Sequence, residues 1–332
     1  MLEDPGLDSD ALVNALRTAY GIEPTAFTFV PGYDMGAAAY DVAATDGRLF
    51  LKVRFDPRTD VPLEVPRALL EAGVSNVLAP MRSRSSGLSH PIGEGRTMVA
   101  YPFVPGRNAM DAGMSAAQWR AFGSALRKVH DSGLEEHFAD RLPAEMFALA
   151  SAAQVRSVLS PAPSVASPAG KLLGMLLRTH ADRIASMLER AEELATRLRG
   201  RPFERVLCHA DIHAANVLVA EDGRIFLVDW DGPMLAPRER DLLFVIGSRI
   251  ARAVEPQEEA WFFEGYGEIG VDREALVYYR YERIIEDIGE SGRSVFEDDA
   301  IPEASRESQV ALVGSFFEPG GIVEAVERPR WR

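Results

Sequence analysis

The sequence predicts an α+β protein in two parts, an antiparallel-sheet lobe over residues 1–104 and a larger, mainly helical lobe over residues 105–332. Three observations predict it. Short apolar segments between residues 26 and 55 are separated by Pro31-Gly32 and Thr45-Asp46-Gly47, the punctuation of an antiparallel meander. From Ser115 onward apolar residues recur at helical spacing. Between these regions Pro105-Gly106 breaks the chain. Composition agrees: 332 residues with 47% hydrophobic and 26% charged side chains exclude disorder, collagen and coiled coil.

The elements follow in order. Ala11 to Tyr20, after Asp8-Ser9-Asp10, carries Leu12, Ala15, Leu16 and Ala19 on one face and stops at Gly21, an amphipathic helix. Ala26 to Val30, Ala37 to Ala43 and Leu49 to Phe55 read as strands, then a Pro-interrupted helical stretch, then strands at Val77-Leu78 and Thr97 to Val104. Ser115 and Gln118 form a capping box ahead of Trp119, Phe122, Leu126 and Val129, with the helix running toward Gly133. Pro161 to Pro168 reads as a loop, and Leu172 to Leu198 as one long helix or a pair. Strands at Val206 to Cys208, Val217 to Val219 and Ile225 to Val228 follow, the last two joined by Glu221-Asp222-Gly223. Helices at Trp261 to Gly267 and Leu276 to Ile288 complete the pattern.

The net charge is −14, and the stretch from Ala251 to Val310, with 16 acidic residues against 6 basic, carries −10 of it. Nucleic acid and anionic membrane are excluded as partners, because both demand a basic footprint. The acidic stretch reads either as solvated surface or as a negative pocket for a cationic small molecule. A single cysteine, Cys208, rules out an internal disulfide and fits a reducing cytoplasm. No signal-peptide pattern or membrane-length apolar run is present, so a cytoplasmic location is expected.

Chemistry concentrates in Cys208-His209-Ala210-Asp211-Ile212-His213-Ala214-Ala215-Asn216 and in Val228-Asp229-Trp230-Asp231. An Asp and an Asn five residues apart lie between apolar strands, with a further Asp at a hairpin end. Phosphoryl transfer needs such a set: one carboxylate for the attacking hydroxyl, and an amide oxygen with a carboxylate to hold Mg²⁺ on nucleotide phosphates. Asp229 and Asp231 would point the same way from an extended segment, so either could face the metal.

This loop, H-x-D-x₄-N followed by a hairpin and an Asp, resembles that of the aminoglycoside phosphotransferase family, a branch of the bilobal protein-kinase-like fold. The likeness runs along essentially the whole chain. It is sharpest at residues 206–214, 228–242 and 263–269, which look like the corresponding stretches of the family's spectinomycin kinases. It implies ATP between the two lobes and Mg²⁺ as cofactor. Asp211 then matches the catalytic base, Asn216 and Asp229 the magnesium ligands, and Lys52 the lysine on the α- and β-phosphates, with Glu64 or Asp60 as its carboxylate partner. Gly32 and Asp34 fall in the phosphate-covering turn, although residues 31–37 lack a full G-x-G-x-x-G. Tyr101, Pro102, Phe103 and Val104 form the connector whose backbone would meet adenine.

The implied reaction moves the γ-phosphoryl group to a hydroxyl of a cationic aminocyclitol, spectinomycin or a biosynthetic precursor, with no protein partner implied. Candidate acceptor contacts are Asp231, Glu264, Tyr266, Glu268, Glu282, Glu286 and Asp287. The alternatives are a metabolic kinase for choline, an amino sugar or homoserine, and a pseudokinase, which the intact set Lys52, Asp211, Asn216 and Asp229 opposes.

Other residues read as structural. His209 is expected to brace the loop, Asp241 to cap a helix N-terminus, and Trp261, Phe262, Phe263 and Tyr266 to fill core before serving any ligand. His213 has no assigned role. Cys208 and His209 face opposite sides of a strand and cannot form a thiol-base pair. Gly170-Lys171 lacks the upstream glycine of a P-loop, and the histidines at 90, 130, 137 and 180 show no metal-ligand spacing.

Overall fold

The computed structural model describes residues 3–32, 34, 36–55, 59–159, 167–298 and 301–328. The chain forms two compact units, Met1–Ala112 with Asn216–Pro233, and Gly113–Ala215 with Met234–Arg332.

The first unit begins with helix α1 (Ser9–Tyr20). Asp8 caps it by accepting from the Asp10 and Ala11 N–H groups, and Gly21 ends it in the left-handed region, where a Cβ would be strained. Strands β1 (Pro24–Val30), β2 (Ala37–Ala44) and β3 (Gly47–Arg54) form the expected meander. Helix α2 (Val61–Glu71) follows, then β4 (His90–Gly93) and β5 (Arg96–Pro102). The five strands pair antiparallel in the order β1-β2-β3-β5-β4. Leu49, Leu51 and Val53 of β3 point to one face, where the buried residues of α1 complete a core, so Lys52 between them points to the other.

Two expectations are corrected here. The prolines do not interrupt the helical stretch: Pro62 lies in the first turn of α2, where its missing N–H costs nothing, and Pro66 is carried inside a continuous helix. Val77-Leu78 is no strand, only a bridge from Val77 to Leu227, because its neighbour is a three-residue strand end. That neighbour belongs to a second sheet, in which β6 (Gly106–Asn108), β8 (Val217–Ala220) and β9 (Ile225–Leu227) pair antiparallel. The pairing of β6 with β8 carries the first unit past the break at Pro105-Gly106, through the short helix α3 (Ala109–Ala112).

In the second unit the capping box of Ser115 and Gln118 opens α4 (Ala116–His130), which ends three residues before Gly133. Short α5 (Glu135–Phe138) and α6 (Ala152–Leu159) follow. Of the expected loop at Pro161 to Pro168, residues 161–166 lie outside the described residues; Pro168 already starts α7 (Pro168–Thr179). With α8 (Ala181–Arg199) it makes the 172–198 region a helix pair. Strand β7 (Val206–Cys208) pairs antiparallel with β10 (Met234–Ala236), ahead of α9 (Glu239–Leu242) and α10 (Pro256–Tyr266).

Helix α11 (Arg273–Phe296) runs 24 residues from its Asp272 cap and packs against α6, α8 and α12 (Glu303–Phe316); α13 (Ile322–Glu327) closes the chain. Helices α4 and α10 cross so closely that a Cβ at Gly123 would lie 2.1 Å from the Phe262 carbonyl oxygen, and one at Gly265 1.9 Å from that of Arg120. No described helix is long and apolar enough to cross a membrane.

Candidate active site

Within the first unit, the buried Lys52 sends Nζ to Asp229 Oδ1 at 2.8 Å, Asp231 Oδ2 at 2.7 Å and Asp34 Oδ2 at 3.4 Å. Burial alone would lower the lysine's pKa; the three carboxylates outweigh it and raise it well above the ordinary value. Neither expected partner is among them. Asp60, at the start of α2, takes the Arg54 guanidinium at 3.0 Å and the Ser89 hydroxyl at 2.7 Å, and Glu64 lies within the first turns of α2.

Asp229 does not sit in an extended segment. Its φ is +63°, a left-handed turn just after β9, and Trp230 fixes this turn by donating its indole N–H to the Leu227 carbonyl. The turn brings Asp229 and Asp231 together on Lys52, the outcome expected from an extended segment but by another geometry. Asn216 is buried, and its carbonyl accepts the Val228 N–H at 3.0 Å, tying the loop end to the strand that delivers Asp229.

Asp34 accepts the Gly36 N–H at 2.7 Å, closing a tight turn before β2. Gly32 precedes it, while Tyr33 and Met35 of the same loop lie outside the described residues. Tyr101 and Pro102 end β5 opposite Phe50 and Leu49, Phe103 takes the Arg48 guanidinium over its ring at 3.8 Å, and Val104 leads out toward β6.

Within the second unit, Asp211 follows β7 on a turn in which Ala210 adopts φ +67°. Asp241 holds that turn. It is fully buried, and its carboxylate accepts the N–H groups of His209 at 2.9 Å and Ala210 at 2.7 Å, and bonds His130 Nε2 at 2.9 Å. The capping expectation for Asp241 is therefore corrected: it lies inside α9, and its oxygens serve a distant turn. Burial would raise its pKa, but His130, His209 and the backbone donors lower it.

His209, also buried, accepts the Asp211 N–H at Nδ1 at 3.4 Å, a brace from within the loop. His130, Cys208 and Asp241 form a tight buried trio, in which Cys208 donates to the carbonyls of Ala236 and Pro237 and His130 Nδ1 bonds the Tyr266 hydroxyl at 2.7 Å. These bonds make the trio a brace for the turn.

The Asp211 carboxylate is paired with Arg283 of α11 and lies 3.5 Å from His213 Nε2. Burial pushes its pKa up, yet Arg283, then His213 and His209, bring it well below the usual carboxylate range. Sequence reasoning did not single out Arg283 and gave His213 no role. The one available signal for the histidine was its i+2 spacing from Asp211; for the arginine, 72 residues away, there was none.

The candidate acceptor contacts divide. Tyr266 is corrected: it is only 2% exposed, packed between Phe262 and Phe263, with its hydroxyl on His130. Glu282 and Asp287 are corrected as free amine partners, because burial forced each to take a cation from its own unit. Glu282 pairs with Arg240 and accepts the Tyr278 hydroxyl, its pKa pushed up to about 7 mainly by burial, and Asp287 bonds Arg283 Nε at 3.0 Å. Glu264 pairs with Arg120 at the surface. Glu268 is exposed after α10, and Glu286 is partly buried, 4.0 Å from Arg240.

A family model described as the phosphotransferase enzyme family, the aminoglycoside phosphotransferase group, matches residues 33–277. The chain belongs to this family. Among the chain's relatives, protein StrN of Streptomyces griseus is 29% identical over 203 residues, 59% of this chain and 63% of that protein, so the chain matches less than two thirds of that relative's length. The solved structure of spectinomycin phosphotransferase APH(9)-Ia, in complex with ADP and spectinomycin, is 29% identical, has a TM-score of 0.86 and is matched over 97% of this chain and 98% of its own. Choline kinase LicA from Streptococcus pneumoniae, at 15% identity and a TM-score of 0.56 over 92% of this chain and 97% of its own, shares the fold. The chain thus has the α+β kinase-like fold, with an antiparallel sheet and a larger helical part, that the sequence predicts.

Proposed function

We propose that the chain transfers the γ-phosphoryl group of ATP to a hydroxyl of a cationic aminocyclitol, spectinomycin or a close precursor, in the cytoplasm. The observation that carries this reading is the convergence of Lys52 with Asp229 and Asp231, 177 and 179 residues away in sequence. A lysine and two carboxylates gathered from separate elements are what a nucleotide triphosphate and its cation require. In this reading residues 1–104 bind nucleotide, with Lys52 on the α- and β-phosphates, the turn with Gly32 and Asp34 over them, and the backbone of residues 101–104 against adenine. Residues 105–332 supply the catalytic loop and the acceptor site.

The donor set fits Mg²⁺. Asn216 and Asp229 offer hard oxygens, and the carboxylates of Asp229 and Asp231 already converge on a cation, the Lys52 ammonium. When bound, the metal neutralises phosphate charge. The chain's own residues do the rest: Lys52 grips the nucleotide, and Asp211, held ionised, orients the acceptor hydroxyl and takes its proton late. Positioning supplies most of the rate. The acceptor class is supported by the likeness to a protein solved with ADP and spectinomycin, and, among the candidate acceptor contacts of the second unit, by Glu268, which is exposed, and Glu286, whose side chain stays 43% exposed beside Arg240.

The test is phosphate transfer from labelled ATP in a panel of spectinomycin, kanamycin, choline, homoserine and no acceptor. Transfer to spectinomycin or its precursors supports the reading, and transfer to choline or homoserine alone replaces it with a metabolic kinase.

A further inference from the structure

The residue pattern around Asp211 raises a question that the proposed reaction leaves open: what holds this carboxylate? It is partly exposed, on a loop, and from that loop His213 faces its oxygens. The second holder comes from helix α11. Arg283 places Nη1 on Asp211 Oδ1 and directs Nε to Asp287, one helical turn further on, at 3.0 Å. The guanidinium lies over the Phe244 ring, 5.7 Å from its centroid, and the His213 ring meets the same phenylalanine edge-on at 6.0 Å. Phe244 is buried at 4% exposure. One fixed aromatic ring therefore backs both groups that touch the carboxylate.

The arginine is suited to this work and a lysine is not. A planar guanidinium presents donors along two edges, so one side chain can serve Asp211 through Nη1 and Asp287 through Nε at once. Asp287 balances the second half of the charge from within the same helix, an i,i+4 pair. The titratable groups facing this centre are His209 and His213 from the loop, and Arg283, Glu286 and Asp287 from α11. The net effect on Asp211 favours the anion, since Arg283 is the nearest of them. His213 Nδ1 is buried with no hydrogen-bond partner among the described residues, so its Nε2 contact with Asp211 is the one polar contact its ring makes here.

We infer that Arg283, itself held by Asp287 and backed by Phe244, is the positioning residue for Asp211, fixing the carboxylate's direction and keeping it ionised for the acceptor hydroxyl. The inference rests on the proposed role of Asp211. An acceptor-side base with a depressed pKa is a weak base in the ground state. It gains a proton only as the hydroxyl oxygen bonds to phosphorus, when that proton becomes strongly acidic. The arginine thus exchanges base strength for orientation, which suits a reaction limited by positioning.

Arg283→Gln, Arg283→Lys and Asp287→Asn test this in the full-length chain by two readouts. The first is the ¹³C titration of the Asp211 carboxyl, assigned by its loss in Asp211→Asn, which needs neither substrate. The second is the pH profile of kcat/KM for the acceptor. In Arg283→Gln the Asp211 titration and the acid limb are expected to rise together by about one pH unit or more, the shift that loss of an adjacent cation produces. At pH 7 kcat is expected to fall roughly tenfold with the nucleotide KM within about twofold, as for a misplaced general base.

Arg283→Lys should restore the titration but not kcat, because a point charge keeps the field and loses the fork. Asp287→Asn removes an anion beside Asp211 as well as the arginine's anchor, so it should leave the Asp211 titration unchanged or lower it while kcat still falls severalfold through lost orientation, and that fall in kcat carries the test if Arg283→Gln fails to fold. An unchanged titration and acid limb in a folded Arg283→Gln, or an unchanged kcat in Asp287→Asn, overturns the inference. So does a nucleotide KM that changes as much as kcat. If Asp211→Ala retains full turnover with every acceptor, the proposed function falls instead, and the carboxyl titration still decides what Arg283 controls.

Discussion

Replacing Asp241 by asparagine should destabilise the second unit and slow turnover together. The carboxylate is fully buried and accepts the His209 and Ala210 N–H groups while bonding His130. Asparagine keeps one acceptor oxygen and turns an NH₂ toward donors. At least one backbone N–H is then buried without a partner, which costs about 1–3 kcal/mol, and the charge facing His130 is lost for a further similar amount. Together these come to roughly 3–5 kcal/mol, the scale of breaking a buried ion pair. At about 2 °C per kcal/mol for a chain of this size, Tm at pH 7 should fall by roughly 6–10 °C.

The pH dependence has a definite sign. Asp241's folded pKa is lowered, so its contribution is present above the unfolded value near ~3.9 and lost as pH falls through the folded one. The gap between wild type and variant should therefore be full at pH 7 and narrow below about pH 4. The same bonds hold Ala210 at its positive φ, a conformation worth about 1 kcal/mol of strain or more, so the turn before Asp211 should relax. Turnover should drop at least ~10-fold well below Tm while nucleotide binding persists. Differential scanning fluorimetry from pH 3 to 8, with steady-state kinetics at 20–25 °C, measures both. A Tm within 1 °C of wild type at pH 7, or unchanged turnover, would refute the reasoning.

Asp211→Ala should lower kcat by at least ~10²-fold and leave calorimetric affinity for a non-hydrolysable ATP analogue in place; a variant keeping a third of wild-type turnover contradicts the assignment. Asp229→Asn should raise the Mg²⁺ concentration needed for half-maximal rate more than Asp231→Asn does, and the reverse order would move the metal ligand to Asp231. Lys52→Met should weaken the ATP analogue and lower Tm. Because the lysine's folded pKa is raised, that Tm gap should persist from neutral pH past pH 9 and close only as strongly alkaline pH passes the raised value. Gly265→Ala forces a Cβ against the Arg120 carbonyl, and since neither backbone can give way, a loss of about 3 kcal/mol, read as a lowered denaturation midpoint, is expected.

The sequence by itself determined the parts of this protein that depend on neighbours along the chain. The meander could be read because its alternation and turn residues act over a few residues, and the capping box of Ser115 and Gln118 because its two bonds span three. Asp211, Asn216 and Asp229 stood out because loop and hairpin fix their order locally, whereas Lys52 was legible as a strand residue whose partner was expected at Glu64 or Asp60. The prolines of α2 misled because a local rule met a helix whose packing tolerates Pro66.

Tertiary structure alone decided which charges meet. Asp34, Asp229 and Asp231 reach Lys52, Arg283 reaches Asp211, and Asp241 reaches the turn at Ala210, across separations in sequence that no periodicity encodes. It also divided the acidic stretch, leaving acids such as Glu268, Glu297 and Glu307 exposed and drawing Glu282 and Asp287 into ion pairs. A count of charges along the chain records their sign, but each buried carboxylate must find a cation in the fold, and the arginines of the second unit claim Glu282 and Asp287 first.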